Sequence, residues 1–334
     1  MARDRTHRLP QLSAIAGPAD TAAARRFDPL RSHRLTARVL FERAGPLTTI
    51  QDAGRFGYLG AGISASGPMD QRAYRRAGVW AGATGGGGLE FTQAGLDLVV
   101  AEGACDAGWD GGDFVLAVND RLLDWPGSAH LQEGDRLSIR PGAHGNYGYL
   151  RFGGRIDVPE ALGSQSTSTR ARLGGLEGRA LRTGDVLTVS GEGKGRRPAS
   201  VVPMEAGDVR FIWGIHADFF AGDLRVRFNG APFRITRTLD RMGVRLQDES
   251  KVFEGASILS LVSEPVLPGD IQILGDGTPI VLMRDHQPTG GYPRIGTIIA
   301  ADLDRFAQMR PGTPVVFAPV TVDHAHQLLR RAAP

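Results

Sequence analysis

One turn recurs along this chain and constrains what the rest can fold into. A Gly-Asp pair, or a near copy, is followed each time by alternating apolar residues. It stands at Gly134-Asp135 before Arg136-Leu137-Ser138-Ile139 and at Gly184-Asp185 before Val186-Leu187-Thr188-Val189. It returns at Gly207-Asp208 before Val209-Arg210-Phe211-Ile212 and at Gly269-Asp270 before Ile271-Gln272-Ile273. Gly312-Thr313 before Pro314-Val315-Val316-Phe317 is a looser copy. Glycine supplies the turn conformation, and the period of two that follows signals a strand with one buried face. Repeated turn-and-strand units predict a mainly β chain of the barrel or sandwich type.

Helices are few by the same reading. Ser66-Gly67-Pro68 marks a helix start with Asp70 near its positive end. Ala73, Ala77 and Trp80 share a face, and Gly82 closes the helix. A second helix is predicted from Asp302 through Leu303, Phe306 and Met309 to Pro311-Gly312, and a third near Ala325 to Arg331. The polar, Gly-rich stretch Gly191 to Pro198 is the best linker. The predicted organisation is a disordered extension over 1–34, a first β-rich subdomain over 35–190, a linker over 191–203 and a second β-rich subdomain over 204–334. Asp52-Ala53-Gly54-Arg55 and Asp240-Arg241-Met242-Gly243 both combine Asp, Gly and Arg, a weak sign of internal duplication.

Composition narrows the function. The 334 residues are 41% apolar, enough for sizeable cores. No apolar run is long enough to span a bilayer. The net charge is +3, and lysine occurs only at Lys194 and Lys251. Outside the Arg-rich first 34 residues both signs are interspersed, with no aromatic-laced basic stripe, which argues against nucleic acid as a partner. Cys105 is the only cysteine, so an intrachain disulfide and a Cys-based zinc site are excluded. A reducing, cytoplasmic location fits. His324 and His326, two apart, fall on different faces of a helix, and no metal is expected. Neither Gly60-Ala61-Gly62 nor Gly85 to Gly88 continues into a nucleotide fingerprint or a phosphate loop.

Four polar, Gly-punctuated segments interrupt the strands. Thr48 to Tyr58 offers hydroxyls, an amide, a carboxylate and a guanidinium, a set that binds a planar polar ligand or braces a turn through Asp52 and Arg55. Ile63 to Asp70 opens a helix and either holds an anion or is ordinary capping. Ser164-Gln165-Ser166-Thr167-Ser168-Thr169 precedes Arg170 as a run of hydroxyl and amide side chains, or a solvated loop. Met283 to Pro293 follows the apolar strand Pro279 to Leu282 and puts Asp285, His286, Gln287 and Thr289 on a loop with two glycines. Functional residues favour such loops on rigid scaffolds.

At these segments the sequence resembles the biotin-dependent carboxyltransferase family, whose members include allophanate hydrolase subunit 2, the C-type subunit of 5-oxoprolinase and the sporulation-related protein KipA. The carrying motifs are Thr48-Thr49-Ile50-Gln51-Asp52-Ala53-Gly54-Arg55, Ser66-Gly67-Pro68-Met69-Asp70, Leu162-Gly163-Ser164 to Thr167, and Asp240-Arg241-Met242-Gly243. Ser263-Glu264-Pro265 with Pro268 to Gln272, and the Asp285 to Pro293 loop, complete them. Three positions depart from the family pattern: His286 stands where Arg is common, Pro288 where Thr is common, and Gly214-Ile215 where Gly-Pro is usual.

The resemblance implies cyclophilin-like barrel subdomains and a subunit of an ATP-dependent enzyme that processes a small amide or lactam. It implies a companion resembling allophanate hydrolase subunit 1 or the B-type subunit of 5-oxoprolinase. ATP is expected at the level of the complex, and carboxybiotin, if used, on another protein. Neither lysine lies in a Met-Lys-Met-like turn that would carry biotin. The alternative is a KipA-like regulator that binds a kinase-inhibitor partner without chemistry. Within the implied site, Asp285, Asp52 and Arg241 are the catalytic candidates. Gln51, Arg55, Ser66, Gln272, Gln287, Thr289, Gly290, Gly291 and Tyr292 are the substrate-binding candidates. Asp285 or Asp52 would accept an amide N–H, Gln287 would pair with the amide edge, and Arg55 or Arg241 would stabilise charge on the oxygen. The loop from Asp285 to Tyr292 is expected to face Gln51 to Arg55 across the two halves. An Asp285→Asn change is expected to reduce turnover and leave stability nearly intact.

Overall fold

The computed structural model describes residues 36–332, apart from 84, 192, 199–205 and 256–260. The predicted extension over 1–34 therefore lies outside the described residues.

Each Gly-Asp turn does start a strand, and the turns share one construction. Asp135, Asp185 and Asp270 donate their backbone N–H to the carbonyl three residues back, at Gln132, Arg182 and Leu267. Their carboxylates then accept the N–H of those same residues, at 2.8, 2.8 and 2.9 Å. The glycine before each Asp takes a positive φ, between 87 and 94°. Only a residue without Cβ enters that region freely, and Asp locks the turn from its exit side. The strands that follow are Arg136–Pro141, Val186–Ser190 and Asp270–Ile273; Val209–Trp213 and Pro314–Pro319 follow the two further copies.

The first half is a pair of sheets. The larger runs, in spatial order, Arg155–Ile156, Val186–Ser190, Thr36–Ala44, Leu96–Glu102, Arg136–Pro141, Phe114–Val118 and Arg121–Leu123. The smaller runs Thr49–Gln51, Gly88–Thr92, Tyr147–Phe152, Ala104–Gly111 and Gly127–Gln132. Val39, Leu98 and Ile139 from the first share a core with Leu89, Trp109 and Leu150 from the second. The second half closes into a seven-stranded barrel: Val209–Trp213, Arg294–Ile298, Asp270–Ile273, Pro279–Leu282, Gly243–Asp248, Pro232–Leu239 and Pro314–Pro319. The barrel expectation is thus met in the second half, and the first half is built on different connectivity. Asp52 and Asp240 do share a local device, because each accepts the N–H two residues on, at Gly54 (2.9 Å) and Met242 (2.7 Å). The likeness between those two segments is a shared turn type.

Four α-helices occur among the described residues: α1 Gln71–Ala81, α2 Gly222–Phe228, α3 Ala300–Ala307 and α4 Val322–Ala332. None is long and apolar enough to cross a membrane. Asp70 caps α1 by accepting from Ala73 N–H at 2.9 Å, and Gly82 ends it in the left-handed region. The buried face is Ala73, Tyr74, Ala77, Gly78 and Ala81; Trp80, expected on it, is half-buried. α1 lies so close to the smaller sheet that a Cβ at Gly108 would come within 2.3 Å of the Ala81 nitrogen. The described part of the Gly191 to Pro198 stretch packs against the end of α1, with Arg196 N–H on the Val79 carbonyl at 3.1 Å.

α1 also joins the halves. The strand Tyr147–Phe152 is buried on both faces. Its even positions, Leu150 and Phe152, enter the first core. Its odd positions, Tyr147 and Tyr149, join Met69, Ala73 and Tyr74 in the barrel's core. Period two thus lets one strand serve two cores.

Candidate functional site

The joint carries a buried ionic network. Arg241, just after the strand Pro232–Leu239, donates from Nε and Nη2 to the two oxygens of Asp285 at 2.7 and 3.1 Å. Its Nη1 donates to Glu90 in the strand Gly88–Thr92, and its Nη2 to the Gly67 carbonyl at 2.8 Å. Four of the five guanidinium N–H groups are therefore committed. Glu90 accepts further from Met69 N–H (2.7 Å) and Tyr149 O–H (2.8 Å), and the Tyr149 oxygen accepts from Asp70 N–H (2.7 Å). Burial alone would lower the Arg241 pKa, but Asp285 and Glu90 outweigh it and hold the guanidinium charged. The sequence reading has Arg241 facing a developing oxyanion. In the structure four of its five N–H groups are engaged on Asp285, Glu90 and Gly67, and these bonds tie the barrel to the sheets.

A second set lies on the sheet side. Asp52 accepts from Ser164 Oγ, Ser166 Oγ and Gln165 N–H, each at 2.6 Å, and from Gly54 N–H at 2.9 Å. Burial works to raise its pKa, but these hydrogen bonds prevail and hold the carboxyl below its usual range. The serine-rich run is thus a folded loop wrapped on Asp52. Four donors thus already reach the carboxylate that the sequence reading offers, as an alternative to Asp285, to a substrate N–H. Gln51 is likewise engaged, donating to the Thr167 carbonyl at 3.1 Å and accepting from Gly67 N–H at 3.1 Å.

Arg55 donates from Nη2 to the Ser166 carbonyl, from Nε to the Ala161 carbonyl at 3.4 Å and from Nη1 to Ser66 Oγ at 3.5 Å. Burial lowers its pKa, and the charges of Asp52 and Asp285 offset that only in part. The charges of two aspartates, one from each half, thus both act on the same guanidinium.

The remaining candidates form a third group. A Cβ at Gly290 would come within 2.4 Å of Gln272 Nε2, an amide nitrogen that is buried without a hydrogen-bond partner. Thr289–Gly290 pairs with Glu264–Pro265, and the Gly291 carbonyl accepts from Leu261 N–H at 2.7 Å. Tyr292 is exposed, and the Gln287 carbonyl meets His286 Nδ1 at 2.6 Å. No hydrogen bond or ion pair among the described residues links Gln272, Gln287, Thr289, Gly291 or Tyr292 to Arg241, Asp285 or Asp52. Open cavities of about 520, 470 and 220 Å3 are lined by other residues than these candidates.

Sequence reasoning missed Glu90 and Tyr149, and it missed Asp304 and Gln308 as the partners of Asp70. The available signal was a lone glutamate between Leu89 and Phe91 in a fully buried strand, because such a charge needs a partner. At the α1 N-terminus, Asp304 from α3 accepts from Gln71 N–H (3.1 Å) and Arg72 N–H (3.2 Å). Gln308 Nε2 donates to Asp70 at 3.0 Å. Burial and the Asp304 charge push the Asp70 carboxyl up to about 6. A raised carboxyl pKa favours the folded state at low pH. This contribution is fully present below the unfolded value of about 3.9 and is lost as pH rises through about 6. In Asp304→Asn the Asp70 midpoint, followed by carboxyl NMR, is expected to fall toward the ordinary range. An unchanged midpoint would assign the shift to burial alone.

Burial decides the state of two other groups. His286 is covered and its pKa is lowered, chiefly by that burial, so it is neutral at pH 7. The Cys105 thiol is buried in the smaller sheet and pushed up to about 12, which leaves it a packing residue.

Comparison with known proteins places this geometry. A family model described as carboxyltransferase domain, subdomain A and B, matches residues 61–319. The C-type subunit of Escherichia coli 5-oxoprolinase is 36% identical over 297 residues, covering 85% of this chain and 91% of that protein. Its Haemophilus influenzae counterpart is 32% identical over 287 residues, with the same coverage of 85% and 91%. The crystal structure of the K. lactis urea amidolyase matches with a TM-score of 0.79 at 26% identity. That match covers 90% of this chain but 20% of the much longer amidolyase. This chain belongs to the carboxyltransferase-domain family, with both its A and B subdomains represented.

Proposed function

We propose that the chain is the C-type subunit of a 5-oxoprolinase-like enzyme, which opens a small lactam at the expense of ATP together with a companion subunit. The observation that carries this reading is the likeness to the C-type 5-oxoprolinase subunit, which extends over 91% of that protein's length. The charge arrangement supports it. A planar amide needs an acceptor for its N–H and donors for its oxygen, and Asp285 and Arg55 offer one of each, with the Asp285 charge acting on Arg55. Asp285 spends two lone-pair positions on Arg241 and retains others.

Biotin is assigned to another protein, because neither Lys194 nor Lys251 lies in a Met-Lys-Met-like turn. The glycine run at 85–88 turns its Gly85 and Gly86 carbonyls onto Arg151, which is the reverse of an amide cradle for phosphate. ATP is accordingly assigned to the complex.

The test is reconstitution. ATP-dependent opening of 5-oxoproline is expected when the chain is combined with its companion, and not with either alone. Full turnover by the chain alone, or turnover of urea with none of 5-oxoproline, would overturn the reading.

A further inference from the structure

We propose that Arg55 and Ser66 form a carboxylate-binding subsite, so that the amide substrate is one that carries a carboxylate and not a neutral urea. This inference rests on the lactam-opening reading for the reaction, but the subsite stands or falls on its own geometry.

Arg55 is 2% exposed, yet no carboxylate among the described residues is in ion-pair contact with it. The two nearest in effect, Asp52 and Asp285, are engaged elsewhere: Asp52 on two serines and two amides, Asp285 on Arg241. A covered guanidinium that is held only by carbonyls and a hydroxyl retains a demand for an anion. Nη1 carries the slack, since its one contact, to Ser66 Oγ, is 3.5 Å long. Ser66 Oγ accepts that bond, and its own proton has no acceptor among the described residues. One carboxylate could accept a hydrogen bond from each.

The position suits a ligand. Arg55 precedes the exposed Phe56 in the chain. Its cover is thin backbone: a Cβ at Gly174 would come within 2.6 Å of Arg55 Nη2 and 2.1 Å of the Ser166 carbonyl. Ser66 holds a φ of 58°, a left-handed conformation that a serine rarely keeps without cause. Ser66 meets Arg55, and the carbonyl of the next residue, Gly67, meets Arg241, which holds Asp285. A ligand whose carboxylate meets Nη1 thus lies one residue along the chain from the Arg241–Asp285 pair.

The experiment compares 5-oxoproline with 2-pyrrolidone, the same lactam without the carboxylate. Binding to the full chain, alone and with its companion, is measured by saturation-transfer NMR. The wild type is expected to favour 5-oxoproline by about tenfold to a hundredfold, the range of one charge-assisted contact. Ser66→Ala, which leaves the backbone and Arg55 in place, should reduce that ratio severalfold, and Arg55→Gln should bring it near one. If Arg55→Gln does not fold, the Ser66→Ala ratio decides. A wild-type ratio near one, a ratio that Ser66→Ala leaves unchanged, or no binding of 5-oxoproline in either format overturns the subsite. Turnover assayed in parallel separates the two ideas. Carboxylate-dependent binding without turnover sinks the lactam-opening reading alone, and turnover with no carboxylate preference sinks the subsite alone.

Discussion

Arg241→Met is expected to destabilise the chain by about 3–5 kcal/mol, the range for removing one partner of a buried ion pair. The guanidinium is 5% exposed and serves Glu90 and Asp285 at once, so methionine fills the volume and strands two carboxylates. Those carboxylates come from different halves, and their mutual repulsion would act across the joint. Urea unfolding of wild type and variant measures the difference. A loss below about 1 kcal/mol, the range of an exposed pair, would mean that the network is solvated and that the halves are held by apolar packing alone. Replacing Glu90 and Arg241 together by apolar residues should cost less than the single change, because the uncompensated charge is then gone.

Asp285→Asn is expected to lower turnover of the assembled enzyme by on the order of 100-fold, the low end of what one positioned acid or base contributes. The sequence alone predicts that stability stays nearly intact. The structure revises this, because Asp285 is bidentate to Arg241 in a buried setting. An asparagine keeps one acceptor for Nε and turns an NH2 toward Nη2, so a stability loss of about 1–3 kcal/mol accompanies the lost turnover. The two effects are separable. If Asp285 acts only through folding, turnover per folded molecule stays at the wild-type level while the melting temperature falls. If it serves the reaction, turnover falls even where the variant is fully folded.

The contrast between fold and site reflects what is local. The Gly-Asp turns were legible because turn, glycine φ and side-chain lock all lie within four residues. α1 was legible because Asp70 and Gly82 punctuate it at both ends. α2 was not: Leu224, Val226 and Phe228 alternate as a strand would, and only the fold shows Leu224 and Phe228 buried with Val226 facing outward. In the site, the chemistry-bearing segments could be chosen from their composition, but the roles could not. Asp52 read as a free carboxylate until its four donors, two of them serines more than 110 positions away, were seen around it. Glu90 went unremarked because its partner Arg241 is 151 positions off, and no pattern within a window connects them.

At the centre of this reading is a single site at the joint, flanked by Asp52 and Arg55 from the sheets and Asp285 from the barrel. A crystal structure of the assembled enzyme with 5-oxoproline bound tests it most directly. The lactam is expected within hydrogen-bond reach of Asp285, with its carboxylate on Arg55 and Ser66. Ligand density at another place on the chain, with Arg55 and Asp285 both unengaged by it, would contradict the single-site reading.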